Sequence, residues 1–598
     1  MAGQADMIRD EAFLGVENSA LGQRWVLRPY EARQALAISQ SLGVDEIVGR
    51  ILAGRGQTKE TAAEYLEPRL RGLMPDPSSL FGMDAAVERI THAVTTAEKI
   101  GIFGDYDVDG ATSSAILQRY FSGLGVESEI YIPDRMKEGY GPNGPALIGL
   151  KNRGAKLVLT VDCGAMAHKA LGEARDAGLD VIVVDHHLAG DPIPVLAHIN
   201  PNQPGDRSDL GHLAAAGVAF MVAVAVNRAL RLAGWFSGDR PEPDITRLLD
   251  LVALGTVCDV VPLTGLNRAF VTQGLKVMAG GENIGLAALA QVARIKEALN
   301  TYHAGFLLGP RVNAGGRVGR AEAGAKLLTT SDESEARHLA EELDFFNEER
   351  KGIEAAVQEE AISQVEGQGL SDQPVIVVAG EGWHPGVIGI VAGRLKDRYR
   401  RPTFVLTQTD GVLKGSGRSV SGVDMGRAVG TLASEGLLIS GGGHKMAAGL
   451  SLDPDQFAKF QDRLTELLNM EAGEARSTMA LTLDGAISAG GAKAHLIDML
   501  EKAGPYGAGN PAPHFALPGV QIAHSDIVGE HHIRCRINDG SGTSLKAVAF
   551  RAVDSPLASL LLRSPRGQKV HLTGRLKRDN WTGGNAVEFH ITDAAKLA

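Results

Sequence analysis

Three short aliphatic runs that each stop at an acid constrain this chain more than anything else in it. Lys99-Ile-Gly-Ile-Phe103 runs into Gly104-Asp-Tyr-Asp-Val-Asp-Gly110, Lys156-Leu-Val-Leu-Thr-Val161 into Asp162-Cys-Gly164, and Asp180-Val-Ile-Val-Val184 into Asp185-His186-His187. Near-continuous Val/Ile/Leu runs of this length suit strands buried on both faces. Helical patterns lie before and between them, at Ala85–Glu98, Ala111–Tyr120, Pro145–Arg153 and up to about Ala177, with a further strand at Glu127–Ile132. The expected fold class is therefore α/β with a parallel sheet. Its acids and histidines all fall at the carboxyl edge of the strands, where open α/β sheets bind ligands.

Asp105, Asp107 and Asp109 stand at alternate positions in one turn. Three carboxylates there repel one another unless a cation sits among them, and hard oxygen ligands suit Mg²⁺ or Mn²⁺. An Asp-rich turn can also simply cap a helix; the repetition of acid and histidine at two more strand ends decides for metal. A fourth acid, Asp259, lies in the apolar segment Leu251–Leu263, and a buried carboxylate needs a partner or a metal. Asp107, Asp109, Asp162, His186 and Asp259 then form a carboxylate/imidazole cage for two divalent ions, Mn²⁺ or Mg²⁺, of the kind that supports phosphoryl transfer.

At 598 residues the chain is long enough for three or four domains. The net charge is −11, but its distribution is uneven. From Met479 onward there are 13 Lys+Arg against 10 Asp+Glu, and 47 against 61 before that point. A mildly basic C-terminal portion on an acidic body permits polyanion binding there. Three cysteines without a CxxC pair fit a reducing, cytoplasmic setting. The longest apolar run, Ala214–Val226, is expected to be a buried helix rather than a membrane span.

The motifs together resemble the DHH phosphoesterase superfamily and, within it, the RecJ family of single-stranded-DNA exonucleases. GDYDVDG, VDCG, VDHH and Asp259 carry the first resemblance. GPRVNAGGR (Gly309–Arg317), WHPGVIGIVAGRL (Trp383–Leu395), GSGRS (Gly415–Ser419), GGGHKMAAG (Gly441–Gly449) and PYGAGNPAPHF (Pro505–Phe515) carry the second. The resemblance implies an N-terminal lead-in (1–45), a DHH domain (46–290), a connecting segment with a long helix (291–370), a smaller α/β DHHA1 domain (371–475) and an OB-like β-barrel (479–598). It implies 5′→3′ hydrolysis of single-stranded DNA to mononucleotides in recombination, repair and mismatch repair. A helicase and a single-strand-binding protein are implied as partners. The enzymatic alternative is a DHH/DHHA1 phosphodiesterase of short oligonucleotides or cyclic dinucleotides; a DNA-binding scaffold without catalysis is the third.

By the same resemblance Asp107 and Asp162 hold one metal, and Asp109, Asp162, His186 and Asp259 the other. His187 lies near the scissile phosphate as a donor. Related pyrophosphatases carry a histidine where this chain has Phe103, and Asp105 is the substitute ligand. Arg311 is expected at the scissile or adjacent phosphate, with Asn313 and Arg317 beside it. The glycine-rich segments around Ser416, Arg418, Gly442, Gly443 and His444 read as loops that hold the 5′-terminal phosphate and nucleotide. In the last portion, strands at Ile533–Ile537, Leu545–Phe550, Lys569–Leu576 and Ala586–Ile591 suit an OB barrel. Arg534, Arg536, Lys546, Arg575, Lys577 and Arg578 are its candidate backbone contacts, Trp581 its stacking residue and Phe550 part of its core.

Overall fold

The computed structural model describes residues 11–135, 137–477, 480–563, 568–579 and 584–597. They pack as two units. One is Pro68–Gly473 with Gly507–Gly509; the other joins the residues up to Glu67 with Glu474–Tyr506 and Asn510–Ala598.

The first unit opens with the parallel sheet. Its strands are β1 (Ile100–Gly104), β2 (Ser128–Tyr131), β3 (Leu157–Val161), β4 (Asp180–Val184) and β5 (Ala197–Ile199), in the order β2-β1-β3-β4-β5. Alternate residues enter two different cores, as the two-residue period of a strand demands. Ile100, Ile102, Leu157, Leu159, Val161, Ile182 and Val184 face one helical layer. Phe103, Val158, Val181 and Val183 face the other. The chain leaves β1 toward one edge and β3 toward the opposite edge, so the crevice between them is a topological switch point. The turn bearing Asp105, Asp107 and Asp109 and the turn bearing Asp162 both open onto it.

Helix α1 (Val108–Gly123) follows the first acidic turn. Helices α2 (Ala215–Leu232) and α3 (Leu249–Cys258) pack on it. α2 is long and apolar enough to cross a membrane, yet it is mostly buried in the protein core. Gly255 of α3 has no room for a side chain. A Cβ there would press on Thr112 Oγ1 and lie 2.8 Å from Asp109 Oδ1. This close approach brings Asp259, the C-cap of α3, toward the acids of α1.

Downstream, α4 (Gly309–Val318) and the 35-residue α5 (Glu333–Gly367) lead to a second sheet. α5 is about 52 Å long at 1.5 Å per residue. Asp332 caps its start by accepting from the Glu335 N–H at 2.8 Å. Its N-terminal half (Ala336, Leu339, Leu343) belongs to the core of the first sheet, and its C-terminal half (Val357, Ala361, Val365) to that of the second. The second sheet comprises β6 (Ile376–Glu381), β7 (Thr403–Thr409), β8 (Val412–Arg418), β9 (Ser440–His444) and β10 (Ala447–Leu452), in the order β9-β10-β8-β7-β6. Helix α6 (Pro385–Tyr399) covers one face.

The other unit is a five-stranded barrel built from β11 (Phe515–Val528), β12 (His532–Asn538), β13 (Ser544–Ala549), β14 (Lys569–Arg578) and β15 (Val587–Lys596). It closes through the pairing of β11 with β14. The 14-residue β11 is absent from the sequence reading because Pro518-Gly519 interrupts it. The structure absorbs that break as a register shift between Leu517 and Val520.

The boundary expected at Glu46 differs from the packing. Ile38, Val48, Ile51 and Leu52 share the barrel's core with Phe515 and Phe589, and Arg24–Leu27 pairs in parallel with Ala480–Leu483. Trp25 is fully buried, and its Nε1–H donates to Asp593 Oδ2 at 3.1 Å. Burial raises the Asp593 carboxyl above its ordinary value, against the pull of its donors. Trp25→Phe should lower the stability of this unit by about 1–3 kcal/mol, the usual cost of leaving a buried polar group short of a partner. Asp593→Ala, which removes the acceptor of the Trp25, Leu21 and Ala594 N–H groups together, should cost more. Urea denaturation of the two variants measures both.

Candidate metal centre

Each acid reaches the crevice by a separate local device. Asp107 caps α1, accepting from the Gly110 N–H at 3.1 Å. Asp109 is buried in the first turn of α1 and accepts from the Ala215 and Ala216 N–H groups at 2.6 and 2.9 Å. These are orphan donors at the start of α2, where negative charge is favoured. Asp162 sits just past β3 at φ +59°. That left-handed conformation costs a non-glycine residue about 1–3 kcal/mol and gathers at functional sites.

His186 ties the acids together. Its Nδ1 lies 3.0 Å from the Leu213 carbonyl oxygen and donates to it, so Nε2 presents a lone pair. Nε2 is 3.3 Å from Asp162 Oδ1, 3.6 Å from Asp259 Oδ2 and 3.8 Å from Asp109 Oδ2. Burial, with the charge of His187, pulls the ring down to about 4, so it is neutral near pH 7. A lone pair surrounded by carboxylate oxygens is repulsive; a cation among them turns every one of these contacts attractive. His186 Nε2, Asp162 Oδ1 and Asp105 Oδ1 are buried without a hydrogen-bond partner among the described residues. Burial and neighbouring acid charge raise Asp109 to about 7 and Asp259 to about 8, and push Asp105 and Asp162 well up.

Ligand atoms within 4.8 Å of one another form three sets: Asp105/Asp107/Asp162, Asp109/His186/Asp259 and Asp162/His186/His187. The first two are disjoint, and Asp162 reaches from one toward His186 of the other. The donor set fits two divalent ions. Phe103 points into the opposite core, its ring stacked on Tyr131 at 5.5 Å, while Asp105 falls inside the first set.

Asp185 serves a different purpose. It accepts from the N–H groups of Ala165, His186 and His187 at 2.9, 2.7 and 3.2 Å and pairs with His187 Nδ1 at 2.8 Å. Burial would raise Asp185, but its hydrogen bond to His187 and the charge there hold it at about 2. Burial would lower His187, but Asp185 holds it at about 9. His187 is thus a protonated donor with its ring fixed.

The polar turn Pro133–Gly144 brings in residues the sequence reading passed over. Tyr140 donates to the Asp162 carbonyl at 3.4 Å and meets the His187 ring edge-on at 6.1 Å. Arg135 lies over the Tyr106 ring at 5.1 Å. The signal was available: an Arg and a Tyr in a Gly/Pro-rich turn after β2, at the same sheet edge as the acids.

A guanidinium-rich pocket adjoins the acids within the same unit. Arg317 is largely buried and donates to the Gly386 carbonyl at 2.9 Å. Burial and the charges of Arg135, Arg350 and Arg418 lower it to about 10, against the pull of Asp107. Arg418 donates to Ser416 Oγ at 3.2 Å, and Gly389 of α6 leaves both of them room. The segments read as glycine-rich loops are strands. In register, Arg418, Ala447 and His444 form one row across β8, β10 and β9, and Ser416, Gly449 and Gly442 the next. The glycines leave one sheet face bare beside Ser416, Arg418 and His444. Gly443 has φ +154°, and a Cβ there would collide with the Ala447 carbonyl. Arg311 is on α4, with its guanidinium on Asp344 Oδ1 (2.8 Å) and the Leu307 carbonyl (2.7 Å). Asn313 is half-buried on the same helix.

On the barrel, Arg534 pairs with Asp526, Lys546 with Asp579 and Glu588, and Arg578 with Asp498. Arg536, Arg575 and Lys577 are exposed. Phe550 is not core: it is 53% exposed, its ring between His532 and His590 at 5.2 and 4.9 Å. It follows β13 directly, on the outward phase of the alternation that buries Leu545, Ala547 and Ala549. Trp581 lies outside the described residues.

A switch-point cluster of acids and paired histidines, followed by a second α/β lobe and a barrel, defines a DHH phosphoesterase. Residues 99–256 match the DHH family N-terminal domain, 372–470 the DHHA1 domain and 483–593 the RecJ OB domain. The chain is 38% identical to the single-stranded-DNA-specific exonuclease RecJ of Salmonella typhimurium over 583 residues, 96% of this chain and 99% of that one. It is 34% identical to RecJ of Bacillus subtilis over 580 residues, 96% of this chain and 71% of that one. A crystal structure of RecJ from Thermus thermophilus in complex with Mn²⁺ superposes with a TM-score of 0.79 at 31% identity, over 96% of this chain and 79% of that chain. This chain belongs to the RecJ family.

Divalent metal should relieve the crowded acids and stabilise the fold. At 100 times the dissociation constant, Mn²⁺ should add about 2.7 kcal/mol, read as a rise in melting temperature over EDTA. Asp162→Asn should abolish most of that rise.

Proposed function

We propose that this chain is a metal-dependent exonuclease that degrades single-stranded DNA 5′→3′ to 5′-mononucleotides. The observation that carries the reading is the neutral His186 lone pair and the orphaned Asp162 and Asp105 oxygens, converging beside a pocket of arginines. Two Mn²⁺ or Mg²⁺ ions suit the donor sets, one at Asp105, Asp107 and Asp162 and the other at Asp109, Asp162, His186 and Asp259. Bound there, they supply a hydroxide nucleophile and neutralise charge on the phosphate being cut. The Thermus relative was solved with Mn²⁺ and with Mg²⁺, which supports either ion.

This chain's own groups supply the rest. His187, with Nδ1 held by Asp185, offers Nε2–H to a phosphate oxygen. Tyr140 keeps the His187 ring in place. Arg317, Arg418, Ser416 and the start of α6 offer donors to a terminal phosphate. The bare glycine face of β9 and β10 leaves space for the terminal nucleotide beside His444, with Gly442 and Gly443 lining it. A pocket that captures a phosphorylated end fixes polarity and lets one nucleotide at a time be removed. Arg311 and Asn313 stand farther along α4 as contacts for the adjacent phosphate, Arg311 on leaving Asp344. The exposed basic residues of the barrel track the strand backbone. The proposed setting is the cytoplasm, in recombination and mismatch repair, with a helicase exposing strands and a single-strand-binding protein covering them. The short-oligonucleotide phosphodiesterase reading is not favoured, because that substrate has no use for the barrel that matches the RecJ OB domain.

A long single strand labelled at its 5′ end in one sample and its 3′ end in another tests the reading. Prompt release of 5′-labelled mononucleotide, blocked by EDTA, is expected; cleavage of dinucleotides alone would transfer the assignment to the small-substrate class. Asp162→Ala should cut turnover by well over the roughly 100-fold that loss of a ligand's supporting partner costs, while strand binding persists. Arg418→Ala should raise KM for a 5′-phosphorylated strand by about 10- to 100-fold, the value of a lost charge-assisted hydrogen bond. A 5′-hydroxyl strand should be affected far less.

A further inference from the structure

Thr301–Val318 is helical throughout, but His303–Leu308 is wound as a π-helix. The sequence explains it. Pro310 has no N–H to donate to the carbonyl four residues back, and its ring crowds that carbonyl; widening the turn relieves the clash. Such turns gather at functional sites. The Leu307 carbonyl accepts from Arg311 Nη1.

The π turn displays two aromatic rings. Tyr302 is 58% and Phe306 70% exposed, stacked on each other with centroids 5.3 Å apart and planes at 25°. Their backbone is held firmly. Asn300 Oδ1 accepts from the N–H groups of Tyr302 and His303 at 2.9 and 3.2 Å. The buried His303 ring accepts from the Asn300 N–H and donates from Nε2 to Glu297 at 3.1 Å. The position is tied to the metal centre. Cys258 Sγ donates to the Ala304 carbonyl at 3.5 Å, and Gly309 lies so close to Cys258 that a Cβ would collide with its sulfur. Asp259 is the next residue. On the other side, Asp344, the partner of Arg311, is followed by Phe345, itself 60% exposed.

Two large aromatic rings stacked in water on a rigid turn, between a metal-ligating acid and an arginine, form an apolar patch rimmed by polar groups, the kind of surface that marks a binding site. We propose that Tyr302 and Phe306 form a base-stacking platform for the single strand as it approaches the metal centre. The occupant is the bases of the strand. Every base has a π-face, so the platform accepts any sequence, and the neighbouring Arg311 suits the phosphate between stacked bases. The inference rests on the single-strand nuclease reading above, but its test does not depend on cleavage.

The test is equilibrium binding of a 5′-phosphorylated oligo-dT to the full chain in EDTA, followed by fluorescence anisotropy. Tyr302→Ala with Phe306→Ala should weaken binding by roughly 5- to 150-fold, the range for lost base stacking, and Phe306→Trp should restore most of it over Phe306→Ala. An abasic residue scanned along the strand should find positions that weaken the wild type but leave the double variant unaffected. A double variant that binds as the wild type does, or that stays as sensitive to abasic positions, overturns the platform. A wild type that binds in this base-dependent way yet never cleaves the strand would sink the nuclease reading and leave the platform standing.

Discussion

The lone pair of His186 is the constraint around which the first unit is built. Its Nδ1 is committed to a backbone carbonyl, so the ring cannot rotate away from the carboxylates. The acids in turn are fixed by groups that serve the fold: Asp107 by the start of α1, Asp109 by the start of α2, Asp259 by the end of α3. Stability and cation binding therefore pull against each other. Without a cation, the same helices that complete the core press buried negative charge together. The protein carries this cost in a buried region, where α1, α2 and α3 meet.

Much of this was legible in the sequence, because parallel strands covered on both faces leave an unmistakable pattern. β4 spans the residues the pattern named, β1 is displaced by one residue at both ends and β3 begins one residue later. The strand-end position of the acids followed from the same pattern, and the RecJ kinship from the motifs. What was not legible depended on contacts remote in sequence. Residues up to 45 look like a lead-in, and Glu46 onward like the start of the DHH domain, because nothing local shows that Trp25 will find Asp593 or that Ile51 will join the barrel core. Glycines misled for a physical reason. Runs such as Ser440-Gly-Gly-Gly-His444 read as loops, since glycine weakens strands, but here the missing side chains clear a face.

Arg135, Tyr140 and the Tyr302–Phe306 pair escaped for another reason. Their types are common in turns and helices, and only their surroundings make them notable. Arg135 draws meaning from Arg317 and Arg418, Tyr140 from His187, and Phe306 from a π turn that a proline imposes. Arg311 shows the converse. Its motif pointed to phosphate, and the structure finds it engaged by Asp344, so any phosphate contact must first displace a carboxylate.

The long helix α5 has a mechanical consequence. Its two halves are embedded in the cores of the two sheets, and midway Arg350 reaches Glu354 and Asn347 (2.5 and 3.0 Å) while Arg394 of α6 also binds Glu354. A continuous helix pinned in this way behaves as a strut. On the proposed reading it fixes the separation between the place where a strand end is gripped and the place where it is cut. On that reading, product size is then a dimension of the scaffold, as tooth spacing is of a gear, and a chain could alter it only by rebuilding the strut.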